Sequence, residues 1–206
     1  MYNQQEIDKI RYNSIPEQKL LIGSKWVKAK QGKIQNIISP INGEKISEIQ
    51  ISDEVDVDEA VKSSRAIFEK GQWSNMPPAA KKKVMHKIAD LIEGSMLELA
   101  VLGVRDNGTE INMAYKAEPG SAAGTFRYYA EAIDKVYGEI SNTSNDFVGL
   151  IQREPVGVVG AIVPWNFPLM IGAWKIAPAL AMGNSVVIKP SEACLLYTSD
   201  AADDSQ

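Results

Sequence analysis

One stretch in the last quarter of the chain constrains the fold more than anything before it. Val156 to Val163 is a short apolar run rich in valine, Pro168 to Met182 reads as a helix closed by Gly183-Asn184, and Ser185 to Lys189 is a second valine-rich run. Continuous apolar runs of this length are typical of strands covered on both faces, as in parallel sheets. Strand, helix and strand together cover about 35 residues, the size of one βαβ unit. The chain is therefore expected to be α/β, with a parallel sheet whose ligands bind at the carboxyl ends of its strands.

The preceding residues read as hairpins and then helices. Leu20-Leu21-Ile22 and Lys25-Trp26-Val27 flank Gly23-Ser24, and Lys33 to Ile38 and Lys45 to Ile51 flank a turn containing Asn42-Gly43. Both patterns predict antiparallel pairs. Asp53 or Asp56 is placed to cap a helix with Val57, Ala60, Val61, Ser64, Ile67 and Phe68 on its apolar side, ending at Gly71. Pro77-Pro78 opens a second helix with Val84, Ile88, Leu91 and Ile92 on one face. Gly94 interrupts it, and Leu97, Ala100, Val101 and Val104 continue to a stop at Asn107-Gly108. A further helix fits Ser121 to Tyr137, and Gly138 to Glu154 fits a polar hairpin.

Several chemistries are excluded by absence. The 15 glycines include no Gly-x-Gly, so the usual dinucleotide fingerprint is missing, and no Gly-x-x-x-x-Gly-Lys-Ser/Thr loop occurs. None of the seven tyrosines has a lysine four residues later. With one histidine and one cysteine, the chain offers neither a serine–histidine nor a cysteine–histidine pair, and no metal site is expected. His86 and the lysines at 81, 82, 83 and 87 read as a solvated helix face, with Asp90 and Glu93 following on the same helix.

Two motifs remain, each at a strand's carboxyl end. In Pro164-Trp165-Asn166-Phe167-Pro168 the prolines restrict the turn, leaving Asn166 two roles: an amide donor to a developing oxyanion, or the N-cap of the next helix. Residue preferences alone favour the cap. In Ile188-Lys189-Pro190-Ser191-Glu192 the acidic residue stands where nucleotide-binding βαβ units hold ribose hydroxyls, with Lys189 as a second contact.

Composition bounds the partners. Lys and Arg number 22 against 26 Asp and Glu, a net charge of −4, which disfavours an electrostatic nucleic-acid binder. No run approaches 18 apolar residues, and residues 1–19 lack the apolar core of a secretory peptide. With a single cysteine, this places the chain in the cytoplasm, away from membranes.

Taken together, Glu154-Pro155-Val156-Gly157-Val158-Val159-Gly160, Pro164-Trp165-Asn166-Phe167-Pro168-Leu169, Trp174-Lys175, Pro178-Ala179-Leu180, Gly183-Asn184 and Lys189-Pro190-Ser191-Glu192 resemble the aldehyde dehydrogenase family. Weaker similarity reaches back to about Leu20. Arg127 to Glu139 is similar to the branch acting on γ-glutamyl-γ-aminobutyraldehyde in putrescine breakdown, with other aminoaldehyde and betaine-aldehyde enzymes close to it. The resemblance implies a Rossmann-like parallel sheet preceded by hairpins and helices, and NAD-dependent oxidation of an aldehyde to a carboxylate, with NADP as the less favoured cofactor. A cysteine attacks the aldehyde to form a thiohemiacetal, hydride leaves to the nicotinamide, and a glutamate activates water to hydrolyse the thioester. Carried over by position, Asn166 stabilises the oxyanion, Ile162, Val163, Pro164 and Trp165 line the cofactor site, and Lys189 and Glu192 hold the adenine ribose. Phe167, Met170, Ile171 and Trp174 would face the substrate tunnel, although ordinary helix core would show the same spacing. Lys175 is implied as a proton relay.

The implied organisation is an N-terminal segment (1–19), the first part of a cofactor-binding domain (20–137), an oligomerisation hairpin (138–154), the start of the NAD-binding sheet (155–193) and a tail (194–206). A homodimer or homotetramer is implied. The chain departs from the family in length, so the nucleophile, the base and the pyrophosphate turn are expected beyond residue 206, leaving this portion inactive alone. Cys194 lies far from the nucleophile's place and is not expected to be catalytic. Residues 194–199 can be back-translated as TGT CTC TTA TAC ACA TCT, a string that resembles a transposon-end sequencing adapter, so 194–206 is read as an artefactual tail. The rival reading is a nucleotide-binding or interaction module without catalysis, which a natural stop codon near Ala193 would favour.

Overall fold

The computed structural model describes residues 2–194 of the 206. Helix α1 (Gln4–Arg11) opens on a capping box of Asn3 and Glu6. Strands β1 (Leu20–Ile22) and β2 (Lys25–Val27) pair through Gly23 and Ser24, which both hold positive φ, the backbone twist that a two-residue hairpin turn requires. Strands β3 (Ile34–Ile38) and β4 (Lys45–Gln50) form a second antiparallel pair with a register shift at Ile37/Ile38. Helix α2 (Glu54–Glu69) starts at Asp53, whose side chain accepts from Val55 and Asp56, while Asp56 reaches back to the Asp53 N–H. The two aspartates thus share the cap.

Helices α3 (Pro78–Gly94), α4 (Met96–Asn107) and α5 (Ile111–Ala132) follow, with Gly108 closing α4 at φ +77. A single 3-10 turn, Ile133–Lys135, leads to the hairpin of β5 (Glu139–Ser141) and β6 (Gly149–Ile151). The last unit is β7 (Val158–Ile162), α6 (Pro168–Ala181) and β8 (Ser185–Lys189), with β7 and β8 parallel. The core lies between the helices. Met85 and Ala89 of α3, Leu99 and Leu102 of α4, Ala122, Ala123, Phe126 and Ala130 of α5, and Leu169, Ala173 and Ala177 of α6 are all buried in it. So many alanines let the helices approach closely, and Phe126 and Met85 fill the remaining volume.

Four expectations are corrected. Helix α5 begins ten residues before Ser121: the Glu110 side chain caps it at Met113, and the buried Pro119 is carried inside it. The buried row of α3 is Lys81, Met85, Ala89 and Ile92, and Val84 is exposed. Lys81 is no surface lysine: it donates to the Ser74 carbonyl at 3.0 Å, and burial pulls its pKa down. Lys83 and Lys87 are exposed as expected, but the rest of that face is an interhelical network, in which Lys82 and His86 meet Glu131, and Asp90 and Glu93 pair with Arg127 of α5. Finally, the 138–154 hairpin forms as expected but is not polar throughout. It exposes Ile140, Phe147, Val148 and Leu150, each by about three quarters of its surface.

Candidate functional site

The parallel register places the two motifs side by side. Ile162 lies opposite Lys189, and the Val163 N–H donates to the Lys189 carbonyl at 3.2 Å, so both strands end at one level. Beneath them Asn184 ties the strand starts together: it is buried, accepts from the Gly157 N–H at 3.0 Å and donates to the Ala179 carbonyl at 3.1 Å.

From the end of β7 the chain turns through Pro164, Trp165 and Asn166, all exposed, before α6 begins at Pro168. The N-cap position belongs to Phe167, which makes no side-chain cap bond. The capping role expected for Asn166 is therefore overturned, and its amide is presented to solvent. Ile162 is 78 % and Trp165 57 % exposed at the same rim, whereas Val163 is only 2 % exposed and has almost no surface to offer a ligand. After β8, Lys189 and Glu192 are exposed and paired with each other, and that contact holds the Glu192 carboxyl below its ordinary pKa.

The cap on α6 comes from elsewhere in the chain. Glu118, on α5, accepts through Oε2 from the Leu169 N–H at 3.0 Å and the Met170 N–H at 3.4 Å. It is 1 % exposed, and Oε1 is buried with no hydrogen-bond partner among the described residues. Burial raises its pKa to about 7, against the opposing pull of the two N–H bonds. Sequence reading missed this residue, since no local pattern marks a carboxylate 51 positions from the N–H it caps.

The expected tunnel residues do not form the core of α6. Leu169, Gly172, Ala173 and Ala177 take the buried face, while Phe167, Met170 and Ile171 are half-buried and Trp174 and Lys175 exposed. Trp174 borders an open groove of about 380 Å³ shared with Ser121, Gly124, Thr125, Tyr128 and Tyr129 of α5. Cys194 is fully buried against the same core, its Sγ donating to Asp106 Oδ2 at 3.0 Å. Burial first, and then the Asp106 charge, push its thiol pKa up, the opposite of what an attacking sulfur needs. The rest of the expected artefactual tail, 195–206, lies outside the described residues. Among the described residues no group of three or more His, Cys, Asp or Glu could hold a metal ion, and no helix is long and apolar enough to cross a membrane.

A turn and a lysine–glutamate pair thus share the carboxyl edge of two parallel strands, the edge at which α/β sheets bind their ligands. The chain belongs to the aldehyde dehydrogenase family, whose profile matches residues 26–202. It is 44% identical over 176 residues to the NADP/NAD-dependent aldehyde dehydrogenase PuuC of Escherichia coli (strain K12), covering 85% of this chain and 36% of that protein. Among solved structures it is similar to γ-glutamyl-γ-aminobutyraldehyde dehydrogenase from Burkholderia cenocepacia J2315, with a TM-score of 0.93, 37% identity, and coverage of 98% of this chain and 41% of that one. An indole-3-acetaldehyde dehydrogenase in complex with NAD+ matches with a TM-score of 0.95 and 38% identity, over 100% of this chain and 41% of that chain. The chain thus spans well under half the length of these relatives.

Proposed function

We propose that this chain is the N-terminal part of an NAD-dependent aldehyde dehydrogenase that oxidises an aminoaldehyde, of the γ-glutamyl-γ-aminobutyraldehyde kind, to its carboxylate. The carrying observation is the level register of β7 and β8, which brings the Asn166 turn and the Lys189–Glu192 pair to one edge. NAD fits this edge at its ribose end, where Lys189 and Glu192 are exposed and paired. When bound, NAD supplies the hydride acceptor. The Glu192 carboxylate favours it over NADP, whose 2′-phosphate it would repel. Ile162, Pro164 and Trp165 line the rim, and Val163 supports them from beneath.

Asn166 Nδ2 is the donor that meets negative charge as it develops on the aldehyde oxygen. The groove between Trp174 and the Ser121, Thr125 and Tyr129 face of α5 admits the aldehyde. The nucleophile is not Cys194, which is sealed and held as a thiol, so the attacking sulfur and the activating base come from residues outside these 206. The exposed apolar residues of the β5–β6 hairpin support its role as an arm between copies in a dimer or tetramer.

The test is expression of the gene's complete reading frame and an assay of NADH formation with aminoaldehydes. Turnover with NAD above NADP is expected, and Asn166→Ala should lower kcat roughly 100-fold or more. Absence of nucleotide reduction with every aldehyde, or an Asn166→Ala protein with unchanged kcat, would overturn the reading.

A further inference from the structure

We propose that Glu118 is a positioning residue for Asn166: from α5 its carboxylate grips the first turn of α6 and so fixes where the Pro164–Pro168 turn presents the amide. The proposal rests on the reading of Asn166 as the oxyanion donor.

The geometry leaves little else to hold that turn. Phe167 at the N-cap contributes no side-chain bond, and Pro168 has no N–H to give. The first available N–H groups of α6 are those of Leu169 and Met170, and both go to Glu118 Oε2. Leu169 is three residues from Asn166, so a shift at the grip reaches the amide through a short span stiffened by Pro168. A neutral residue would satisfy the same donors without the cost of burying a carboxylate. A carboxylate at the positive end of α6 holds the helix more firmly than a neutral acceptor does.

The grip is also sensitive to protons. Oε2 is engaged by two N–H groups, so a proton goes to the unpartnered Oε1, leaving Oε2 a weaker, neutral acceptor. Burial brings this event close to neutral pH. Among the described residues no charged neighbour contributes to this shift, which burial and the two N–H bonds alone set: Cys194, beside it, is a thiol bonded to Asp106 of α4, and Lys175, the sole charged residue of α6, is exposed. Oxyanion stabilisation should therefore weaken as pH falls through about 7.

The test uses the full-length protein with Glu118→Ala and Glu118→Gln, and three readouts. Hydrogen exchange at the Leu169 and Met170 amides reports the grip without reference to activity, and both variants should exchange faster there. Glu118→Ala should lower kcat roughly 10- to 100-fold with the aldehyde KM little changed, as expected for misplacement of a group needed in the transition state. The wild type should show an inflection near pH 7 in kcat, and Glu118→Gln should lack it. Unaltered amide exchange, a kcat loss matched by an equal KM loss, or the same inflection in Glu118→Gln would overturn the proposal. A wild type that reduces no NAD, or an Asn166→Ala protein of full activity, would instead sink the functional reading, while the exchange result would still report on the grip.

Discussion

The helical layer and the two-stranded parallel sheet of this chain both present apolar side chains but end in opposite conditions. Helices α3, α5 and α6 bury one another so completely that Met85, Ala89, Ala122, Ala123, Ala130 and Ala177 have no exposed surface. In β7 only Ala161 is buried; its last residue, Ile162, is 78 % exposed, and Val156, just before the strand, 80 %. Apolar residues pack where a partner lies within the same chain. Two parallel strands with a single crossover leave an open edge and an uncovered face.

The contrast can be broken or sharpened by substitution. The largest effect is expected inside the helical layer: Phe126→Ala should cost about 4 kcal/mol in a urea titration of the complete protein, because the alanines around it cannot close on the void. An effect below 1 kcal/mol would mean that the layer is loosely packed. Asn184→Ala removes the link between the layers and should cost about 2 kcal/mol, leaving the Gly157 N–H and Ala179 carbonyl unpaired.

Glu118 contributes a pH dependence of definite sign. Its folded pKa of about 7 lies above the ordinary 4.5, so the folded form binds the extra proton. The stabilisation is complete below 4.5 and is lost as pH rises through 7, on the order of 1 kcal/mol. Melting midpoints across that interval should fall in the wild type more than in Glu118→Gln. The smallest effect belongs to the sheet: Ile162→Ser in the 206-residue chain should raise soluble yield and move the melting midpoint by less than roughly 2 °C. The same substitution in the complete protein should cost more if another segment covers this face, and an equal, negligible effect in both would show the face to be bare in both.

The elements written in local punctuation were legible from the sequence. The second strand of the βαβ unit is Ser185–Lys189 as expected, and its helix stops at Ala181, one residue short, because prolines and glycines mark those limits directly. The hairpin turns at Gly23-Ser24 and Asn42-Gly43 were legible for the same reason. What escaped depends on distant partners. The start of α5 was hidden by Pro119, a residue that tertiary packing keeps inside the helix. The burial of Lys81 depends on a carbonyl seven residues back, at Ser74, and on how the chain folds between them. At the candidate site, the adjacency of the two motifs followed from the βαβ pattern. The exposed Asn166 and the cap supplied by Glu118 did not, since which residue caps a helix is decided by what packs against it.

The sealing of Cys194 has a consequence for redox behaviour. Oxidants and alkylating agents react with accessible thiolates, and this sulfur is neither accessible nor ionised, being hydrogen-bonded to a carboxylate inside the helical core. Peroxide or a thiol-directed drug acting on the native fold would pass this segment by.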